Sequence, residues 1–142
     1  MFKHILVPTD GGPLSRKAVT AALELARNLG AKVTAYACVV ETLPMTEFAV
    51  DTPQVVLDQL HEEAVQHLRE FEESAQKAGV ACETATSLEF SPYEGIIKTA
   101  DQKGCDLILM ASHGRKGLVS LLLGSETQKV LTHSSIPVLV YR

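Results

Sequence analysis

Apolar runs and helical periodicities alternate from one end of the chain to the other. Ile5 to Val7 is a short apolar run that breaks into Pro8-Thr9-Asp10-Gly11-Gly12, a strand followed by a turn cluster. Pro13 suits the first helical position, where its missing N–H would have no partner anyway. Leu14, Ala18, Ala21, Leu25 and Leu29 recur at steps of three or four and predict the buried face of a helix that Gly30 ends. Lys32 to Val40, rich in Val with Thr and Tyr, predicts a second strand.

Glu41 to Gln54 has no period and carries Pro44 and Pro53, so it predicts a long loop, the kind that often forms a lid or binding segment. The clearest helical stripe follows: Leu57, Leu60, Ala64, Leu68, Phe71, Ala75 and Ala78, closed by Gly79. Val80 to Thr86 predicts a more polar strand suited to a sheet edge. Ser91-Pro92 opens a third helix through Ile96, Ile97 and Ala100 to Gly104, and Asp106 to Met110 is a fourth strand. A helix from Ser125 and a last strand, Val138 to Tyr141, complete the order β-α-β-α-β-α-β-α-β. Continuous apolar strands between amphipathic helices predict an α/β fold: a single open five-stranded, mostly parallel sheet with helices on both faces. Ligands of such sheets bind beyond the carboxyl ends of the strands, where the winding reverses. If the first and fourth strands are neighbours there, Asp10 and Ala111 emerge side by side.

At 142 residues the chain is read as one domain, 1–142, and is long enough to need neither disulfides nor metals as staples. A net charge of −4 and a pI near 5.7 argue against a general nucleic-acid or membrane-surface binder, although Arg115-Lys116 is a local basic pair. No run reaches the ~20 apolar residues that span a bilayer. The opening apolar stretch is too short for a secretory signal, so the expected location is the cytoplasm. Cys38, Cys82 and Cys105 form no Cys-x-x-Cys pair and read as small hydrophobes in or beside strands. His61 and His67 lie beside glutamates on the second helix and are expected to be solvated; His4 and His133 lack metal-ligand spacing.

The richest segment runs from Met110 to Thr127. A strand ends in the small-residue turn Ala111 to Gly114, and a second glycine, Gly124, precedes the helix at Ser125. Bare N–H groups at a turn and at a helix start make an anion site when brought together, which suggests the phosphate of a nucleotide. The phosphate loop with Gly-Lys-Ser/Thr is missing, and so is Gly-x-Gly-x-x-Gly after the first strand. Ser125-Glu126-Thr127-Gln128 also fits a capping box, which would satisfy that helix start without any ligand. Asp10 has a comparable alternative, as a cap for the first helix near Gly12 and Pro13.

Four blocks in order resemble the universal stress protein family over essentially the whole chain. They are Ile5-Leu6-Val7-Pro8-Thr9-Asp10-Gly11, Met110-Ala111-Ser112-His113-Gly114, Leu122-Leu123-Gly124-Ser125 and Ile136-Pro137-Val138-Leu139-Val140. The adenine-nucleotide-binding branch carries Gly-x-x-Gly, nine residues, then Gly-Ser/Thr; here Arg115 to Leu123 separate Gly114 from Gly124-Ser125. Two positions depart from the pattern: Ala111 stands for its first glycine, and Gly12 stands where the family often has serine.

The resemblance implies a Rossmann-like fold, similar to the adenine nucleotide alpha hydrolases, and a site for ATP or AMP, with magnesium accompanying a triphosphate. Pro8, Thr9 and Asp10 would border the sugar, with Asp10 accepting from ribose hydroxyls or holding a magnesium-bound water. Val39 and Val40 would meet the adenine edge through their backbone, while Met110 and Ala111 line base and ribose. Gly114, Gly124, Ser125 and Thr127 would offer N–H and hydroxyl donors to phosphate, with His113 and Arg115 nearby. Glu126 would set a carboxylate beside that phosphate, and would repel it if aimed inward. The resemblance further implies a homodimer paired through the C-terminal strand, and a stress-response regulator with no nucleic acid or membrane as partner. The rival readings are a slow ATP-hydrolysing or phosphate-transferring enzyme, for which no base or water-positioning residue stands out, and a nucleotide-free dimeric interaction protein.

Overall fold

The computed structural model describes residues 1–42, 51–114 and 123–142. Its elements are β1 (His4–Pro8), α1 (Pro13–Leu29), β2 (Lys32–Val40), α2 (Gln54–Ala78), β3 (Cys82–Glu89), α3 (Pro92–Lys103), β4 (Leu107–Ala111), α4 (Ser125–His133) and β5 (Val138–Tyr141). Within the predicted loop from Glu41 to Gln54, residues 43–50 lie outside the described residues, and Gln54 is already the first residue of α2.

The five strands form one sheet in the order β3-β2-β1-β4-β5, with every adjacent pair parallel. The chain winds outward from β1 through β2 to β3, then crosses back to β4 and β5. The direction therefore reverses between β1 and β4. Alternation along the strands divides the core in two. Ile5, Val7, Val33, Ala35, Leu107 and Leu109 face α1 and α2. Leu6, Tyr36, Ile108 and Met110 face α3 and α4 through Ile96, Ala100 and Val130.

The α2 stripe is buried as its period predicts, from Ala64 through Leu68 and Phe71 to Ala75. The face predicted for α1 is rotated. Its buried residues are Ser15, Ala18, Val19, Ala22, Leu23 and Ala26, while Leu29 is 42% exposed. Small side chains at 18, 22 and 26 let this helix lie close on the sheet, and the leucines at 14 and 25 fall to the rim of the contact. β3 is the edge strand expected, but it runs from Cys82 to Glu89 rather than from Val80 to Thr86. Pairing with β2 carries it on, Val39 against Leu88 and Val40 against Glu89.

Candidate functional site

At the carboxyl ends of β1, β2 and β4, where the winding reverses, lies a cleft of about 270 Å³. The β1–α1 turn forms one lip. It is held by Asp10 Oδ1, which accepts from the Gly12 N–H at 2.8 Å, and by Ser15 Oγ, which accepts from the Asp10 N–H at 3.2 Å. The Asp10 carboxylate thus secures the turn just ahead of α1 and also lines the cleft, but it does not cap the helix: the N-cap is Gly12, with no side-chain cap. The Thr9 N–H donates to the Tyr36 carbonyl at 2.8 Å and fastens the turn to β2.

The β4 turn and the start of α4 form the opposite lip. The Gly124 N–H donates to the Ser112 carbonyl at 2.8 Å. Thr127 Oγ1, almost fully buried, donates to the carbonyls of Ala111 (3.0 Å) and Ser112 (3.2 Å). Both groups tie the start of α4 to the end of β4. The predicted capping box is absent. Gly124 is the N-cap of α4 and makes no side-chain cap, and Gln128 Nε2 reaches back to the Leu123 carbonyl at 2.8 Å. With glycine there, the helix supplies no partner for the N–H groups of Ser125, Glu126 and Thr127.

Glu126 lines the cleft but is drawn toward α3. Its Oε1 accepts from Ser91 Oγ at 2.8 Å and its Oε2 from the Tyr93 N–H at 3.0 Å, so it caps the start of that helix. A carboxylate there also suits the positive end of the α3 dipole. Lys129 Nζ stands 3.5 Å away. Ala111 closes β4 in register with Tyr141, and no non-glycine residue among those described has positive φ, so its methyl adds no backbone strain.

Of the other predicted positions, Pro8, Thr9, Val40, Met110, His113 and Gly114 also line the cleft. An added Cβ on Gly114 would lie 3.4 Å from Asp10 Oδ2, so the two lips nearly meet there. The Val39 side chain is buried in the α1/α2 core, which leaves only its backbone for a ligand. Ser125 is exposed at the helix start. Arg115 and Lys116 lie outside the described residues.

Sequence reasoning missed the α2 wall. Leu60, Glu63, Ala64 and His67 line the cleft, and His67 is half-buried rather than solvated. The step of three and four from Leu60 to His67 is the signal that places it on this face. On the cleft wall, burial raises the Cys38 thiol above its usual value, and burial together with a Cys38 contact raises the Tyr36 phenol. Both are therefore neutral near pH 7. Among the described residues no group of His, Cys, Asp or Glu is arranged to hold a metal, and no helix is long and apolar enough to cross a membrane.

The family model described as "Universal stress protein family" matches residues 1–142. The chain belongs to the universal stress protein family. The universal stress protein YxiE of Bacillus subtilis is 33% identical over 150 residues that span all of both chains. The solved structure of MJ0577, a universal stress protein of Methanocaldococcus jannaschii, superposes with a TM-score of 0.83 at 29% identity, covering 99% of this chain and 95% of its own. A universal stress protein solved in complex with cAMP shares the fold at a TM-score of 0.74 and 24% identity, over 99% of this chain and 97% of its own.

Proposed function

We propose that this universal stress protein binds an adenine nucleotide, ATP or AMP, in the cleft at the β1/β4 reversal and acts as a cytoplasmic stress-response regulator. One observation carries the reading: a carboxylate lip and an uncapped helix start face each other across a preformed cleft. Asp10 suits sugar hydroxyls, which need acceptors. The N–H groups of Ser125, Glu126 and Thr127 suit a phosphate. The exposed end of β2 at Val40 leaves room for a planar base. The cAMP complex of a protein of this fold supports the choice of adenine.

The test is calorimetric titration of AMP and ATP, with and without magnesium, alongside mass spectrometry of whatever nucleotide co-purifies. Gly124→Val supplies the control. A Cβ there would lie 3.2 Å from both His113 Cα and the Ser112 carbonyl oxygen, so it forces the β4 turn and the α4 start apart. Affinity should fall more than tenfold. No binding by the wild type at millimolar nucleotide overturns the reading.

A second reading has its own support. The Gly124 N–H and the Thr127 hydroxyl are engaged within the protein, and the cleft is small for a nucleotide. Those facts suit a nucleotide-free interaction protein, for which Gly124→Val would leave partner binding unchanged. Under both readings 1–142 acts as one domain and pairs through β5, an edge strand that exposes Leu139 and Tyr141. Light scattering at micromolar concentration should give a dimer, and a monomer there would refute the pairing.

A further inference from the structure

Glu63 and His67 are the two polar members of the α2 wall, and His67 is the one that packs on the β1–α1 turn. It sits where the stripe from Leu60 reaches the β1–α1 turn, and its imidazole lies against Gly11. An added Cβ on Gly11 would come within 2.5 Å of Nδ1 and 2.7 Å of Nε2, so only glycine lets the ring lie there. With φ at +76° the turn also needs glycine for its backbone.

Among the described residues, Nδ1 of His67 is the buried side-chain polar atom without a hydrogen-bond partner. An orphan of that kind is costly and calls for an explanation. A leucine would fill the same space without it. The turn beneath cannot supply a donor, because its N–H groups are already engaged: Gly11 with Thr9 Oγ1, Gly12 with Asp10 Oδ1 and Asp10 with Ser15 Oγ. A group that enters the cleft can satisfy the ring.

We propose that His67 is a ligand-contacting, specificity-determining residue: its imidazole turns from Gly11 into the cleft and pairs with a sugar hydroxyl of the bound nucleoside, beside Asp10. The inference rests on the nucleotide reading above. Its position selects the sugar rather than the base or the phosphate. The Gly11 turn ends the middle strand of the reversal, with the Val40 end of β2 on one side and the start of α4 on the other. A sugar diol both donates and accepts. Asp10 only accepts, and an imidazole adds a nitrogen for the second hydroxyl. The contact therefore sets a preference for ribose over 2′-deoxyribose.

The experiment titrates AMP and 2′-deoxy-AMP into the wild-type protein, His67→Leu and His67→Gln by calorimetry, and follows the imidazole nitrogens of the wild type by NMR. AMP should bind the wild type about tenfold tighter than its deoxy analogue, which is the loss of one hydrogen bond of about 1.4 kcal/mol. His67→Leu should lower AMP to the deoxy level and leave the analogue unchanged, while His67→Gln keeps part of the preference. The His67 nitrogen signals should move on adding AMP. Equal sugar preference in the wild type and both variants, with nucleotide still bound, overturns the role of His67 and leaves the nucleotide reading intact. A wild type that binds neither compound overturns both. Leucine removes an orphaned nitrogen, so a melting temperature no lower than wild type is expected, and the glutamine variant supplies the same comparison should leucine not fold.

Discussion

Gly95 in α3 offers a sharp test of the packing below the cleft, because two opposite effects meet in one methyl group. Glycine inside a helix costs about 1 kcal/mol relative to alanine, so Gly95→Ala at an open site would stabilise. This site is closed. A Cβ would lie 2.8 Å from Tyr36 Cζ, closer still to the phenol oxygen, and 2.9 Å from Ser87 Oγ. The Tyr36 side chain cannot yield cheaply: it is 1% exposed, and its hydroxyl is 2.7 Å from Ser87 Oγ. Overpacking of this kind costs about 1–3 kcal/mol, and loss of the Tyr36–Ser87 bond adds about 1 kcal/mol. Set against the helical gain, the net is a destabilisation of about 1–3 kcal/mol. For a chain of this size that lowers Tm by roughly 3–10 °C, readable by circular dichroism or calorimetry. Adding Tyr36→Phe removes the nearest clashing atom, so the double variant should lose less than the sum of the two singles. A Gly95→Ala protein as stable as wild type, or singles that add within about 0.5 kcal/mol, would refute the argument.

Two further outcomes follow from polar contacts in the core. Burial, then the nearby Lys32 charge, holds the His4 pKa below its usual value despite the Glu83 carboxylate 3.4 Å away. His4 is therefore neutral in the fold and takes up a proton more readily when unfolded, so its contribution is complete above about pH 6.5 and is lost as pH falls through the folded pKa. His4→Gln should flatten the fall of the urea midpoint between pH 6.5 and 5, and an unchanged slope would contradict the assignment. Thr127→Val keeps the shape but strips the Ala111 and Ser112 carbonyls of a donor, which should cost about 1–3 kcal/mol in urea denaturation. Thr127→Ser should recover most of it, and a valine variant of wild-type stability would show those bonds to be dispensable.

The fold was legible because its signals are local. Gly30, Gly79 and Gly104 each end a helix, Pro13 and Pro92 each begin one, and β2 spans the predicted Lys32–Val40. Elements whose limits depend on distant partners were less legible. Pairing with β2 carries β3 to Glu89, and close approach to the sheet selects the alanine face of α1 over its leucines. At the site, the motifs placed Asp10, His113 and Gly114 at the cleft but could not say where side chains turn. Glu126 serves α3, Thr127 serves β4, and the start of α4 has glycine where a serine cap was expected. His67 was misplaced because its glutamate neighbours suggested water, whereas the approach of α2 to the Gly11 turn put it indoors.

The strand order also bears on how the molecule comes into being. β1 occupies the middle of the sheet, yet the neighbour on one of its flanks is β4, and the Asp106 carboxylate that receives the Lys3 and His4 N–H groups lies 103 and 102 positions later. Closing a span of that length must precede the pairing that rewards it. On the ribosome, Ile5 to Val7 must wait with one bare flank while most of the polypeptide is still being made. A product truncated before Leu107 would offer that flank to any passing strand, and it would also lack half of the mouth between β1 and β4. Covering of that bare flank by β4 and opening of the pocket therefore belong to the same late stage of synthesis.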